Sequence, residues 1–574
     1  MNETEADEVV MLSKIDLSDG FWRMLVEGES VWNFCYVMPD PPGHPIRIVV
    51  PSALQMGWAK SPAYFCAATE TARDIIQGVV ADRVELPPHC FEHFMHPAKS
   101  AKRSKSDSPA HGVYVYVDDF IGAAVEDKSG TLLGRISRAA LHGIHSVFPP
   151  PSVTGHTGGK DPISLKKLER GDARWASEKE LLGFLVNGET KTVRISESKA
   201  TDIVSELRRI LKKKHVQLKR YRRIVGKLRH VALILPGIKG LFSPINKALR
   251  GEPRVIGLGK DSDVRAAFLD LATMVEDLAT RPTHVKELVP GDDHYTGYCD
   301  ACAAGAGGVW LSGDLSLPPL VWRVQFSAYI TSQVVSDDNP RGTLTNSDLE
   351  MAAVLLHYMV LQQRVDLRYI RTGVWSDNTP TVAWTKRMAD HSQAPTAGRL
   401  LRGLAAIQRS VQAGPLTIGS IAGKDNDMAD IASRSFDIQC DRAFLTHFTS
   451  RFPLPQQQSW TLARLTPERI SLVTSTLDGR RLPLQQWMTA CKPKTGTRGS
   501  SSAAMPAETH TSLTPPNLSS NNFSSVSLLG SGVATSAEER RCKLKLLKQR
   551  SATWRKPSCW LDTQTPVGPT DPKT

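Results

Sequence analysis

The stretch from Val113 to Ile121 constrains this chain more than any other. Val113, Tyr114, Val115, Tyr116 and Val117 run directly into two adjacent acids, Asp118 and Asp119, before Phe120 and Ile121 restore the apolar character. Successive side chains of a strand point to opposite faces, so Tyr114, Tyr116 and Asp118 share one face and the three valines the other. The valine face belongs in a core, and the acids belong at the tip of a hairpin. Adjacent acids are commonplace in solvated turns, so this pair takes its meaning from what else the chain offers.

Two upstream segments supply that context. Lys14 to Arg23 places Asp16 at the end of a predicted strand, and Leu54 to Phe65 carries Met56, Gly57, Ser61 and Pro62 at a predicted turn and helix start. Nucleotidyl transfer by two metals needs carboxylates that share a pair of Mg²⁺ ions about 3.5 to 4 Å apart. Asp16 and the Asp118–Asp119 pair are of the right type for that task.

The three segments resemble, in order and spacing, motifs A, B and C of retroelement reverse transcriptases of the LTR or DIRS-like retrotransposon kind, with Tyr116 to Asp119 matching the Tyr-x-Asp-Asp box. The resemblance implies that Asp16 and Asp118 bind catalytic Mg²⁺ or Mn²⁺, two ions per site, with Asp119 as auxiliary ligand. It implies that Phe21 lies under the sugar and favours dNTPs, and that Met56, Gly57, Ser61, Pro62 and Tyr116 border the template and incoming nucleotide. Leu181 to Leu185 is similar to a strand that grips the primer, and the helix expected from Tyr221 to Leu235 resembles a thumb or connection element. Motif A begins near residue 14, so the fingers are expected to be truncated.

A second set of acids follows the turn signal Pro290-Gly291: Asp300 before a glycine-rich run, Glu350 in a helix, Asp377 after Val374-Trp375-Ser376, and Asp430 within Gly423 to Arg434. Four acids at element borders can converge on two hydrolytic metals. Together they resemble the Asp-Glu-Asp-Asp set of retroelement ribonuclease H domains, which implies cleavage of the RNA strand of an RNA·DNA hybrid. Many relatives carry a histidine about ten residues before the last acid; here that position is Ser420. Cys299 and Cys302 bracket Asp300 without a second pair to complete a zinc site and are expected as buried free thiols. His89, Cys90, His93 and His96 have loose ligand spacing in a Pro-rich surface loop.

Charge fits these partners. A net charge of +13 and 71 Lys plus Arg favour polyanions, here RNA template, DNA primer and RNA·DNA hybrid. The basic run from Lys212 to His230 is the best local backbone-gripping element, with Lys219, Arg222, Arg223, Lys227 and Arg229 as candidates; the bland alternative is a solvated helix face. A hydrophobic fraction of 41% and the lack of an apolar run of about 18 residues exclude a membrane protein and, with the acidic start, point to an intracellular site in cytoplasm or nucleus.

The expected organisation is an α+β right-hand polymerase palm with partial fingers over 10–195 and a thumb or connection over 196–288. An α/β ribonuclease H-like domain over 289–436, a small helical region over 437–490 and a mostly disordered tail over 491–574 follow, the tail rich in Ser, Thr and Pro with a short basic segment from Glu539 to Lys548. The polar, basic insertion from Pro97 to Pro109 is expected to tip a hairpin. Two rivals stand beside this reading: a nucleic-acid-binding relic, and a ribonuclease H that uses the first domain as a scaffold.

Overall fold

The computed structural model describes residues 1, 4–5, 7–39, 41, 43–151, 159–313, 318–387, 395–455 and 458–491. The expected tail beyond Cys491, with its basic segment, lies outside the described residues. The architecture is mixed α/β. No helix among the described residues is long and apolar enough to cross a membrane.

The first layer is a three-stranded antiparallel sheet with two helices on one face. Its elements are strand β1 (Met11–Asp16), helix α1 (Ser61–Ala81), strands β2 (His111–Tyr116) and β3 (Asp119–Ala124), and helix α2 (Leu132–Val147), with strand order β1-β3-β2. The alternation in β2 drives the layering. Val113 is buried while Tyr114 and Tyr116 are 60% and 61% exposed, so the sheet turns its aliphatic face onto the helices and its tyrosines outward. Phe65, Ile76, Phe120, Leu141 and Ile144 fill the space between sheet and helices. The insertion at 97–109 does not tip a hairpin. It precedes β2 and is tied back by Ser104, whose backbone N–H donates to the Glu126 carbonyl (2.8 Å) and whose hydroxyl donates to Glu8 (2.6 Å). Its serines find partners there that a free hairpin tip lacks.

Strands β4 (Glu178–Leu181), β5 (Phe184–Asn187), β6 (Thr192–Arg194) and β7 (Thr283–His284) form a second sheet in the order β7-β6-β5-β4. Helices α3 (Glu197–Leu211), α4 (Leu218–Val231) and α5 (Asp263–Thr280) lie between β6 and β7 in sequence. In α4, Tyr221, Ile224, Val225, Leu228 and Val231 are buried at helical spacing, which leaves Lys219, Arg222, Arg223, Lys227 and Arg229 on the exposed face. Gly237, at φ +72°, turns the chain after Pro236 as the sequence signals.

The third layer is a six-stranded mixed sheet. It comprises β8 (Tyr295–Cys302), β9 (Gly305–Ser312), β10 (Leu320–Gln325), β11 (Thr372–Ser376), β12 (Leu416–Ser420) and β13 (Thr461–Ala463), in the order β12-β11-β8-β9-β10-β13. Helix α6 (Asn346–Arg364) is buried on nearly every side, as a helix apolar all round must be. Its start is fixed by a capping box in which Thr345 and Asp348 each satisfy the other's backbone N–H. Helices α7 (Pro395–Val411) and α8 (Asp427–Arg434) complete the layer. The region expected as helical at 437–490 holds helices at Asp441–Arg451, Pro467–Leu477 and Leu484–Ala490, and it also gives this sheet its edge strand β13, because Trp460 buries against Phe444 and Phe448 and carries the following residues into register with β10.

Two ion pairs, one buried and one partly buried, join α5 to α7 one heptad apart. Arg402 holds Asp270 through two bonds (2.5 and 2.7 Å), and Arg409 holds Asp277 (2.6 Å).

Candidate active sites

The first acidic centre is built by register. Asp16, the last residue of β1, pairs with Asp119, the first of β3, and Asp119 pairs in turn with Tyr116, so Val117 and Asp118 form a two-residue turn. Val117 adopts φ +58°, where a β-branched residue is strained by roughly 1 to 3 kcal/mol. The turn is pinned by the Leu17 N–H, which donates to the Asp118 carbonyl at 3.1 Å. Asp16, Asp118 and Asp119 therefore lie together at one sheet end, as expected.

Two lysines without an assigned role in the sequence reading also belong to this centre. The Lys167 ammonium pairs with Asp16, and Lys14 lies 3.8 Å from Asp119 and 3.9 Å from Asp172. Burial raises the Asp119 carboxyl to about 6 against the pull of Lys14, with the neighbouring Asp16 and Asp118 adding to the rise. Burial lowers the Lys167 ammonium, but its hydrogen bond to Asp16 and the surrounding acids more than offset this and leave it raised. A cleft of about 450 Å³ opens beside Asp119, lined by Lys14, Lys179 and the Leu182–Gly183 turn.

The neighbouring residues are placed as follows. Phe21 packs on Phe65 at 5.0 Å between centroids, which makes it part of the core as well as a neighbour of Asp16 in sequence. Gly57 has φ +99°, Met56 beside it is 72% exposed, and the buried Ser61 hydroxyl donates to the Gln55 carbonyl (2.8 Å), closing the turn before Pro62 starts α1. On α4, Arg222 pairs with Glu252 (2.5 Å), Lys227 with Glu206 (3.2 Å), and Arg229 donates to Asn246 (2.9 Å), while Lys219 and Arg223 make no ion pair among the described residues. His89 does not sit in a free surface loop: its Nε2 lies 3.1 Å from Nδ1 of His145 on α2, and His145 Nε2 lies 3.1 Å from Asp161.

The second centre is tighter. Parallel pairing of β8 with β11 sets Tyr298 opposite Trp375, so Asp300 and Asp377, each two residues further on, come side by side. Glu350 reaches them from the first turns of α6. One oxygen from each of Asp300, Glu350 and Asp377 lies within 4.8 Å of the others, the one such group among the described residues. Asp300 and Glu350 are 3% and 2% exposed. Burial, then the charges of Asp300 and Asp377, push the Glu350 carboxyl up to about 9. Burial likewise raises Asp300, against a hydrogen bond from Ser433.

Asp430 stands outside this tight group, on α8, paired with Arg434 at 2.6 Å. Helix α8 approaches closely because β9 is glycine there: a Cβ on Gly307, directly opposite Asp300, would stand 2.3 Å from the Ala432 carbonyl carbon. Cys299 is a fully buried thiol and Cys302 a half-buried one, both free.

The donor set of the second centre fits a divalent cation. All three groups are carboxylates, none of them forms an ion pair among the described residues, and Glu350 Oε2 is buried without a hydrogen-bond partner. Gathering three acids, two of them buried, is costly unless a cation or protons neutralise them. The first centre is already partly neutralised by Lys14 and Lys167.

No family model matches this sequence, and no curated protein matches it. Among solved structures it is similar to a foamy viral protease-reverse transcriptase in complex with an RNA/DNA hybrid, at 14% identity and a TM-score of 0.33, over 72% of this chain and 44% of that one. Two further structures of the foamy viral enzyme, one with dsDNA and one, labelled dRH, with ds DNA, match at 14% and 15% identity with TM-scores of 0.35 and 0.33. They cover 80% and 72% of this chain and 68% and 57% of theirs. The chain thus spans less than half the length of the first of these structures. Likeness this slight carries nothing about what the chain does.

Proposed function

We propose that the chain is an RNA-directed DNA polymerase with ribonuclease H activity on RNA·DNA hybrids, derived from a retrotransposon polyprotein. The observation that carries this reading is the gathering of Asp300, Glu350 and Asp377, far apart in sequence, into one carboxylate group, with Asp300 and Glu350 buried, in a chain that also brings Asp16, Asp118 and Asp119 to one sheet end. On this reading β1 to β3 with α1 and α2 are the palm, α3 to α5 the thumb or connection, and the six-stranded layer the ribonuclease H domain.

In the second centre Asp300, Glu350 and Asp377, with Asp430 alongside, would hold Mg²⁺ or Mn²⁺; Asp16 and Asp118, assisted by Asp119, would do so in the first. The ions supply Lewis acidity toward phosphate oxygens. The chain's own groups do the rest. The strained Val117 turn places Asp118 beside Asp119 at the sheet end that also carries Asp16; Lys14 and Lys167 offset part of the acids' negative charge, and the exposed basic face of α4 neutralises backbone phosphates of template and primer. Phe21, Met56, Gly57, Ser61, Pro62 and Tyr116 border the dNTP and template.

A second reading has an observation of its own. Lys167 occupies Asp16, so the first layer can serve as a scaffold for a chain that acts as a ribonuclease H alone. Primer extension on an RNA template with Mg²⁺ and dNTPs, run beside cleavage of a labelled RNA·DNA hybrid, separates the two. The proposal expects extension that Asp118→Asn abolishes and cleavage that Asp377→Asn abolishes. Cleavage without extension leaves only the scaffold reading, and neither activity in folded protein overturns both.

A further inference from the structure

We infer that Ser433 is a positioning residue for the second centre: its hydroxyl sets the orientation of the Asp300 carboxylate and ties it to the helix that carries Asp430. This rests on the reading of that centre as a metal site. The Ser433 Oγ lies 2.5 Å from Asp300 Oδ2 and 2.9 Å from the Asp430 carbonyl, and Ser433 is fully buried. A hydroxyl has one proton to give, and an ionised carboxylate is the stronger acceptor, so the proton goes to Asp300.

The need for such a donor follows from the neighbours. Asp300 faces Glu350 and Asp377, acids that bring it no cation, so the orientation of its carboxylate depends on the hydrogen-bond donors around it. Ser433 holds it from the side of α8. The helix itself cannot drift. Asn426, at its start, donates to the Cys299 carbonyl (3.2 Å), and the Cα of Gly307 lets the Ala432–Ser433 backbone rest on β9. Asn426 and Ser433 therefore latch α8 to β8 at both ends, with Asp430 between them. Ser433 touches neither substrate nor the reacting phosphate; it acts through Asp300.

The test uses the full chain carrying Asp118→Asn and Asp119→Asn, so that Mn²⁺ titration reads the second centre. Partners that orient metal ligands are worth about 10- to 100-fold in metal affinity. Ser433→Ala is expected to weaken Mn²⁺ binding, followed by calorimetry and by electron paramagnetic resonance of free Mn²⁺, by at least about tenfold. Thermal unfolding in EDTA, run in parallel, reports the purely structural share of the change. If Ser433→Ala lowers the melting temperature yet binds Mn²⁺ as tightly as its parent, the residue is only a packing element and the inference fails. If the parent binds no Mn²⁺, the metal-site reading fails with it, an outcome distinct from the first.

Discussion

Replacing Gly307 by alanine tests the geometry of the second centre through one methyl group. A Cβ at this position would stand 2.3 Å from the Ala432 carbonyl carbon, 2.5 Å from the Ser433 nitrogen and 2.6 Å from the Ala432 oxygen, all backbone atoms that no rotamer change can move aside. Ordinary contact begins at 3.4 Å, so α8 must retreat by 3.4 − 2.3, about 1 Å. Overpacking of this kind costs roughly 1 to 3 kcal/mol of stability. The same retreat carries Asp430 and Ser433 away from Asp300, and a misplacement of about 1 Å costs on the order of 100-fold in rate. Steady-state cleavage of a labelled RNA·DNA hybrid by Gly307→Ala, at a temperature where circular dichroism shows it folded, reads the effect. Gly313→Ala is the control, since among the described residues nothing lies within 4 Å of its Cβ. A Gly307→Ala protein that cleaves within a few-fold of the control would show that the seat of α8 on β9 does not set the site.

Two further perturbations address charge. In EDTA, Glu350 is ionised near pH 4.5 when unfolded and near 9 when folded, so between these values the unfolded state holds fewer protons and stability falls as pH rises, by up to about 1.4 kcal/mol per pH unit. Urea melts at pH 5 and pH 8 should show Glu350→Gln losing less stability than the parent over that range; parallel losses would refute the shift. Arg402→Ala leaves buried Asp270 with Arg481 alone and should cost about 3 kcal/mol, whereas Arg402→Met, which fills the volume, should cost less than removing the side chain. Equal melts for the two would show that the pair does not clamp α5 to α7.

What the sequence discloses and what it hides divide along sequence distance. The hairpin at Asp118–Asp119 is legible because alternation is local: Tyr114 and Tyr116 are exposed as their spacing demands. The buried face of α4 and the stop at Gly237 are legible for the same reason. The gathering of Asp300, Glu350 and Asp377 follows from a resemblance and not from any local pattern, since strand register brings two of them together. Lys167 gave no signal at all, because its partner Asp16 lies 151 residues away and nothing in a basic stretch distinguishes the lysine that turns inward. Ser433 could be noticed within the closing motif, but its bond to Asp300 across 133 residues could not. Strand β13 was missed because three residues after a tryptophan are too short a run to outweigh the helices around them.

Cleavage of the RNA strand of an RNA·DNA hybrid, compared with RNA·RNA and DNA·DNA duplexes under Mg²⁺, tests the central claim most directly. The account predicts cleavage of the hybrid alone, loss of activity in EDTA, and loss again in Asp377→Asn. Hybrid cleavage that persists undiminished in Asp377→Asn, or no cleavage by folded parent protein at any Mg²⁺ or Mn²⁺ concentration, would contradict it.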